Sequence, residues 1–239
     1  MIVSVALCPS PPLLVRELTG QALILPELRD ACAAAVAHLI ASAPDLVTVV
    51  GPAGTTAALD ASDRLDKRAY APVPRLFGDQ AAGMASLPLA IGVGAMLLDA
   101  AGYDGPRILQ GIAEQAPPDA CRALGRDLAA AAPRVALLVM GDGSARRSPS
   151  APGYLDERAG PFDAAVERAV RDGDLAVLAD LDPVLAGDLM ATGRPAWQVL
   201  AGAMTAGPPP ASASARPSTR IGYSAAPFGV AYLVATLDP

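Results

Sequence analysis

Residues 134–147 read RVALLVMGDGSARR, and the fold is decided there. After Arg134 every residue to Met140 is apolar, so no alternation marks a solvent face. The run is too short for a typical helix, and a strand apolar on both sides is one covered on both sides. Such a strand belongs in the middle of a parallel sheet with helices above and below. It passes directly into Gly141, Asp142, Gly143 and Ser144, small and polar residues suited to a tight turn. In open α/β sheets the reactive groups gather where strands end at their carboxyl edge.

Working outward, Met1–Leu7 reads as a first strand running into a rigid loop, CPSPPLLV at residues 8–15. Leu28, Cys32, Ala35, Val36 and Leu39 recur at helical spacing within Pro26–Ala43, with Pro26 suited to a first helical position. Leu46–Val50, closed by Gly51-Pro52-Ala53-Gly54, completes a strand, helix, strand unit. Residues 55–72 are polar and predict an exposed excursion, followed by a short strand over Val73–Phe77. Helices are predicted over Pro88–Ala101 and Pro117–Ala131 with a strand, Arg107–Ile112, between them. After the central strand come short helices over Phe162–Arg171, Leu175–Leu181, Pro183–Thr192 and Trp197–Ala206. Residues 207–219, GPPPASASARPST, have linker composition and predict a mobile loop. Ile221–Ser224 and Val230–Thr236 predict a closing hairpin. The fold class is α/β, with a mixed, mainly parallel central sheet, helices on both faces and an antiparallel edge, in one domain over residues 1–239.

Composition excludes several classes. The chain is 52% hydrophobic, but the excess is mostly alanine and no stretch approaches the roughly 18–20 apolar residues that span a bilayer. A net charge of −6, with the basic residues scattered, argues against nucleic-acid binding. Cys8, Cys32 and Cys121 are odd in number and far apart, which predicts neither disulfides nor a zinc knuckle and suits a reducing cytoplasm. There is one histidine, His38, so no multi-histidine metal site can be built. It lies mid-helix, off the apolar stripe, and reads as a partly exposed structural residue.

Three loops at strand ends carry the candidate chemistry: Cys8–Pro12, Gly51–Gly54 and Gly141–Arg146. Asp142 has two readings, a hard-cation or anion holder with the turn's N–H groups, or a cap for the segment that follows. Arg146 and Arg147 are able to clamp a carboxylate or phosphate, or to pair with Asp156 or Glu157 on the surface. Ser144 has neither a G-x-S-x-G elbow nor a second histidine to activate it. Cys8 reads as small-hydrophobe packing beside the site. No G-x-G-x-x-G follows any strand, which removes the dinucleotide fingerprint.

The loops together with ATGRPAW at 191–197 and YSAAPFGVAYLVA at 223–235 carry a resemblance over nearly the whole chain. It resembles the class III extradiol ring-cleavage dioxygenases of the LigB catalytic-subunit type and the related Memo-like proteins. In that family the first strand runs into a P-H-P-P-L-L type loop, the second into P-H-G or S-H, and a later one into G-D-x-S-H-R. A Glu, or a Cys before Gly-Arg, follows on a helical segment. The resemblance implies the family's fold, with Fe(II) as the family's cofactor. It places the first metal histidine on Ser10, the second on Ala53, the acid/base histidine on Ala145 and the Cys or Glu ligand on Thr192, and every one of those residues differs here. Ring cleavage holds catechol and dioxygen on Fe(II) bound by two imidazoles and a carboxylate, and an alanine offers no lone pair.

The resulting expectation is a LigB-like pseudoenzyme without a cofactor. Its pocket, formed by Ser10, Ala53, Asp142, Ser144, Ala145, Arg146 and Thr192, binds a small organic acid, an aromatic ligand or a partner, and self-association is left open. The alternative is a divergent oxidoreductase acting on a catecholic substrate, or other chemistry with a metal near Asp142.

Overall fold

A computed structural model describes residues 1–19, 24–70, 86–206 and 216–239. Seven strands form one sheet in the order β3-β4-β2-β5-β1-β7-β6, where β1 is Ile2–Cys8, β2 Leu46–Ala53, β3 Ala57–Leu59, β4 Arg107–Ala113, β5 Val135–Met140, β6 Ser218–Ala225 and β7 Tyr232–Asp238. The four central strands are mutually parallel, while β3 on one side and the β7–β6 hairpin on the other run antiparallel. The α/β class is therefore as predicted, with antiparallel strands at both edges rather than one.

The helices are α1 (Arg16–Thr19), α2 (Pro26–Ala41), α3 (Leu89–Ala100), α4 (Pro118–Ala129), α5 (Ala159–Arg171), α6 (Leu175–Ala179), α7 (Pro183–Asp188) and α8 (Arg194–Met204). All six residues of β5 are inaccessible to solvent, and the pleat divides them between two cores. Val135, Leu137 and Val139 pack with α4, α5 and α8, for example against Leu128, Phe162 and Leu200. Ala136, Leu138 and Met140 pack with α2 and α3, for example against Leu28, Leu39 and Leu98. This is why the run shows no alternation.

Several boundaries differ from the sequence reading. β2 continues past Val50 to Ala53, taking in Gly51 and Pro52. The excursion at 55–72 contains β3, which pairs with β4 through Ala57, Ala58 and Leu59. α7 stops at Asp188 instead of reaching residue 192: Met190 adopts a left-handed φ of 56°, and the Ala191 N–H donates to the Ala186 carbonyl at 2.8 Å. That closure is a Schellman-type helix end, and it releases Thr192 from the helix. The end of the predicted 207–219 loop belongs to β6, since Ser218 and Thr219 pair with Asp238 and Leu237. The remainder of that loop through residue 215, and the predicted strand at Val73–Phe77, lie outside the described residues. Among the described residues no helix is long and apolar enough to cross a membrane.

Candidate functional site

Because β1, β2 and β5 are parallel neighbours, their carboxyl ends meet at one edge, and the loops that leave β1 and β5 are cross-linked there. The Gly141 N–H donates to the Cys8 carbonyl at 3.0 Å, and the Ser10 N–H donates to Asp142 Oδ1 at 2.7 Å. Val50 of β2 lies beside Val139 of β5, so three residues further along Ala53 ends β2 level with Asp142. From the other side the Gly193 N–H donates to the Asp142 carbonyl at 2.9 Å, bringing the 189–193 loop and Thr192 to the same edge. Gly193 sits so close that a Cβ on Gly141 would lie 2.3 Å from its Cα. Ala145 joins the loop through its N–H to the Leu189 carbonyl at 3.0 Å. Ser10, Asp142, Ala145 and Thr192, on three loops, and Ala53, at the end of β2, are thereby placed around one strand edge.

The turn after β5 is held from outside the motif. Asp163 of α5 accepts the Ser144 N–H at 2.8 Å and the Ser144 hydroxyl at 2.6 Å, and also takes Arg147 Nη1 at 3.1 Å. Ser144 is fully buried, its hydroxyl committed to a carboxylate, so it is a fastening point. Two expectations change as a result. Asp142 does not cap its own following segment but ties down the loop after β1, and Arg147 pairs with Asp163 in place of Asp156 or Glu157. The Arg146 side chain packs against Gly153 and makes no hydrogen bond among the described residues, its Nε being buried and unpartnered. Its field helps to hold Asp156 below the usual carboxylate range, behind the larger effect of Arg158.

Asp142 is half-buried by surface area, yet protein atoms crowd its carboxyl. Burial raises its pKa from 3.8 to about 6, against the opposing effect of the Ser10 N–H. Tyr232, at the start of β7, is nearly buried and has its hydroxyl pKa raised by burial and then by the Asp142 charge. The folded protein therefore binds the Asp142 proton more tightly than the unfolded chain does. Its contribution to stability falls as pH rises from about 4 to about 6, and above that the ionised carboxyl costs roughly 2–3 kcal/mol. Asp142→Asn keeps an oxygen for the Ser10 N–H and removes the charge. Urea unfolding should show the variant more stable than wild type by about 2 kcal/mol near pH 7 and indistinguishable near pH 4. A difference that does not change with pH would mean the carboxyl is solvated.

His38 lies at the far end of the molecule, in the last turn of α2, where its Nε2 meets Asp238 Oδ2 at 2.9 Å. Cys8 is fully buried, and its contact with Cys32 of α2, followed by burial, pushes its thiol pKa well up, as packing requires. Among the described residues no three His, Cys, Asp or Glu side chains cluster as metal ligands, so Asp142 is not part of such a ligand set for the hard cation considered for it. Fe(II) does not fit either: the family-equivalent positions offer the hydroxyls of Ser10 and Thr192 and the methyls of Ala53 and Ala145.

Sequence reasoning missed Asp163, Tyr232 and Arg194. Asp163 had a legible signal, a carboxylate among Phe162 and Val166 on a helix whose apolar face is buried. Tyr232 lay within a quoted motif without a partner to give it meaning. Arg194, 2% exposed, donates to the Ala116 carbonyl at 2.6 Å, to Gln198 Oε1 at 2.9 Å and to the Glu114 carbonyl, anchoring α8 to the loop after β4.

No family model matches the sequence, and no curated protein matches it. Among solved structures, the uncharacterized protein JW3007 from Escherichia coli K12 aligns over 99% of this chain and 100% of its own, with 14% identity and a TM-score of 0.50. At that identity the likeness shows the fold alone.

Proposed function

We propose that this chain is a LigB-like, Memo-like scaffold that has given up ring cleavage and binds a small organic acid or aromatic acid at the strand edge. The observation that carries the reading is the composition of that edge. The loop after β1 and the 189–193 loop are hydrogen-bonded to Asp142 at the carboxyl edge where β2 also ends, yet the positions equivalent to the family's ligands supply two hydroxyls and two methyls. Arg146, on the same turn, is a guanidinium without a hydrogen-bond partner, and its planar fork suits a carboxylate. The net charge of −6 disfavours nucleic acid as the partner, and three free buried cysteines accord with a cytoplasmic protein.

Protocatechuate, at once an acid and a catechol, separates binding from turnover. Calorimetry should find millimolar to high-micromolar binding to wild type, weakened about tenfold in Arg146→Met. With Fe(II) added under air, the bound catechol should remain uncleaved, and dialysed protein should hold no stoichiometric iron or zinc. Yellow ring-opened product above a no-protein control, or iron near one equivalent, overturns the proposal. So does binding that ignores Arg146.

A further inference from the structure

α5, α6 and α7 line an open trough of about 860 Å³. α6 reads LAVLA and α7 opens with PVLA, so neither short helix has a polar face to turn toward water there. A helix that is apolar all round belongs in a core. Yet Val177 is 42% exposed, Val184 is 72% exposed, and Ala176 is exposed as well. Phe162 and Leu181, both buried, floor the trough, with Ala165 and Leu185 half-buried beside them. Apolar surface of this kind, rimmed by polar groups, marks a place where something else binds.

The rim decides the charge of the occupant. Glu157, Asp174, Asp180 and Asp182 contribute four carboxylates, and Arg158 contributes one guanidinium. Arg158 is already held by Asp156 and Asp188, at 2.8 and 3.2 Å, so its charge is balanced within the protein. Arg122 and Arg216 reach Asp180 and Asp174 only at 3.9 Å. Two copies meeting face to face here would set these carboxylates against each other, and the net charge of −6 adds to the repulsion. A small apolar molecule would stay open to water, because Glu157, Pro161, Val177 and Asp180 on the walls are themselves exposed. A helix suits the shape. Arg158, Pro161 and Ala165 are spaced as neighbours on one helix face and form one wall, while α6 and α7 form the other, so a further helix fits between them as ridge into groove.

We propose that the trough between α5, α6 and α7 docks an amphipathic helix of another protein, one whose apolar stripe is flanked by lysine and arginine. Anchors at i, i+3, i+4 and i+7 cover the floor around Val177 and Leu185, and the flanking cations meet the four carboxylates of the rim. The trough shares no residue with the strand-edge pocket, so the inference holds whether or not that pocket binds an acid.

The probe is an acetylated and amidated peptide of leucine and lysine, about 18 residues long so that it forms a helix, with leucine at i, i+3, i+4 and i+7. Titrated into the full-length protein in a calorimeter, it should bind with a micromolar Kd that weakens as salt is added. The same residues in an order that breaks the stripe, and the same stripe with glutamate in place of lysine, should each bind at least tenfold more weakly. Val177→Lys, a charge at an exposed floor position, should weaken binding about tenfold, and Asp180→Lys about fivefold, with thermal midpoints near that of wild type. Asp104→Lys, an equal charge reversal at an exposed position after α3, should leave the affinity unchanged. The proposal is overturned by absence of binding, by a glutamate peptide that binds as tightly, by affinity unchanged in Val177→Lys, or by Asp104→Lys costing as much as Asp180→Lys. A wild-type dimer in sedimentation that Val177→Lys dissolves would assign the trough to a second copy and overturn it too. If Val177→Lys does not fold, Asp180→Lys against Asp104→Lys decides the matter.

Discussion

Gly202→Ala will leave little folded protein under conditions where the wild type is stable. α4 and α8 cross at a pair of glycines with backbone against backbone. A Cβ on Gly202 would sit 2.2 Å from the Arg122 carbonyl oxygen, and one on Gly125 would sit 2.1 Å from that of Val199. Neither obstacle is a side chain that can rotate away, so the helices must part by about an ångström to restore contact distances. α8 cannot move alone, since its residues from Arg194 to Ala203 are buried on every side. The added methyl therefore strains one interface and opens the core beneath the sheet. The expected loss is about 4 kcal/mol or more, a large share of the roughly 5–15 kcal/mol that holds a domain together. Gly187→Ala in α7 is the control: nothing lies within 4 Å of its Cβ position, so stability should hold or rise slightly. If Gly202→Ala melts within a few degrees of wild type, the helix pair has slack that the packing does not show.

Arg194→Ala should be the next most damaging change, at about 3 kcal/mol, or roughly 6–12 °C in thermal midpoint for a domain of this size. The arginine is a buried cation whose acceptors are two backbone carbonyls and the Gln198 amide oxygen, with no carboxylate beside it. Desolvation lowers its pKa, yet the acceptors are arranged around a fork. Truncation leaves those oxygens buried without donors and cuts α8 loose from the loop after β4. Gln198 would keep only its bonds to the Ala179 and Leu181 carbonyls, at 3.0 and 2.9 Å. Arg194→Lys should fall between, because a single ammonium cannot span all three acceptors. A calorimetric loss below about 1 kcal/mol for Arg194→Ala would show that water reaches the orphaned carbonyls.

What was legible in the sequence, and what was not, divides on the range of the interactions involved. β5, β1 and α2 announce themselves because burial on both faces or on one stripe writes itself into consecutive residues. β3 does not: two of its three residues are exposed, and it owes its conformation to pairing with β4. Pro52 reads as a breaker, yet it lies inside β2. Pairing with β5 ends at Val50, so beyond that point β2 has a neighbour on one side only, and a missing N–H on the free side costs little. At the candidate site the loops were legible as motifs, but their fastenings were not. Asp142 finds its donor at Ser10, 132 residues upstream, and Ser144 finds Asp163 on another element. No local pattern encodes either partner.

The order of the strands sets a timetable for the protein as it is made. β1 lies between β5 and β7, so once made this strand has no neighbour in the sheet until residues 135–140 follow, and no second one until residues 235–237. At 5–20 residues per second that is a wait of roughly ten to fifty seconds, during which an almost wholly apolar strand has both flanks open. The hazard is worst for ribosomes stalled between β5 and β7, whose nascent chains present β1 as a raw edge to one another. Polysome crowding, more than any property of the finished molecule, is then the natural limit on how fast this protein can be produced without chaperones.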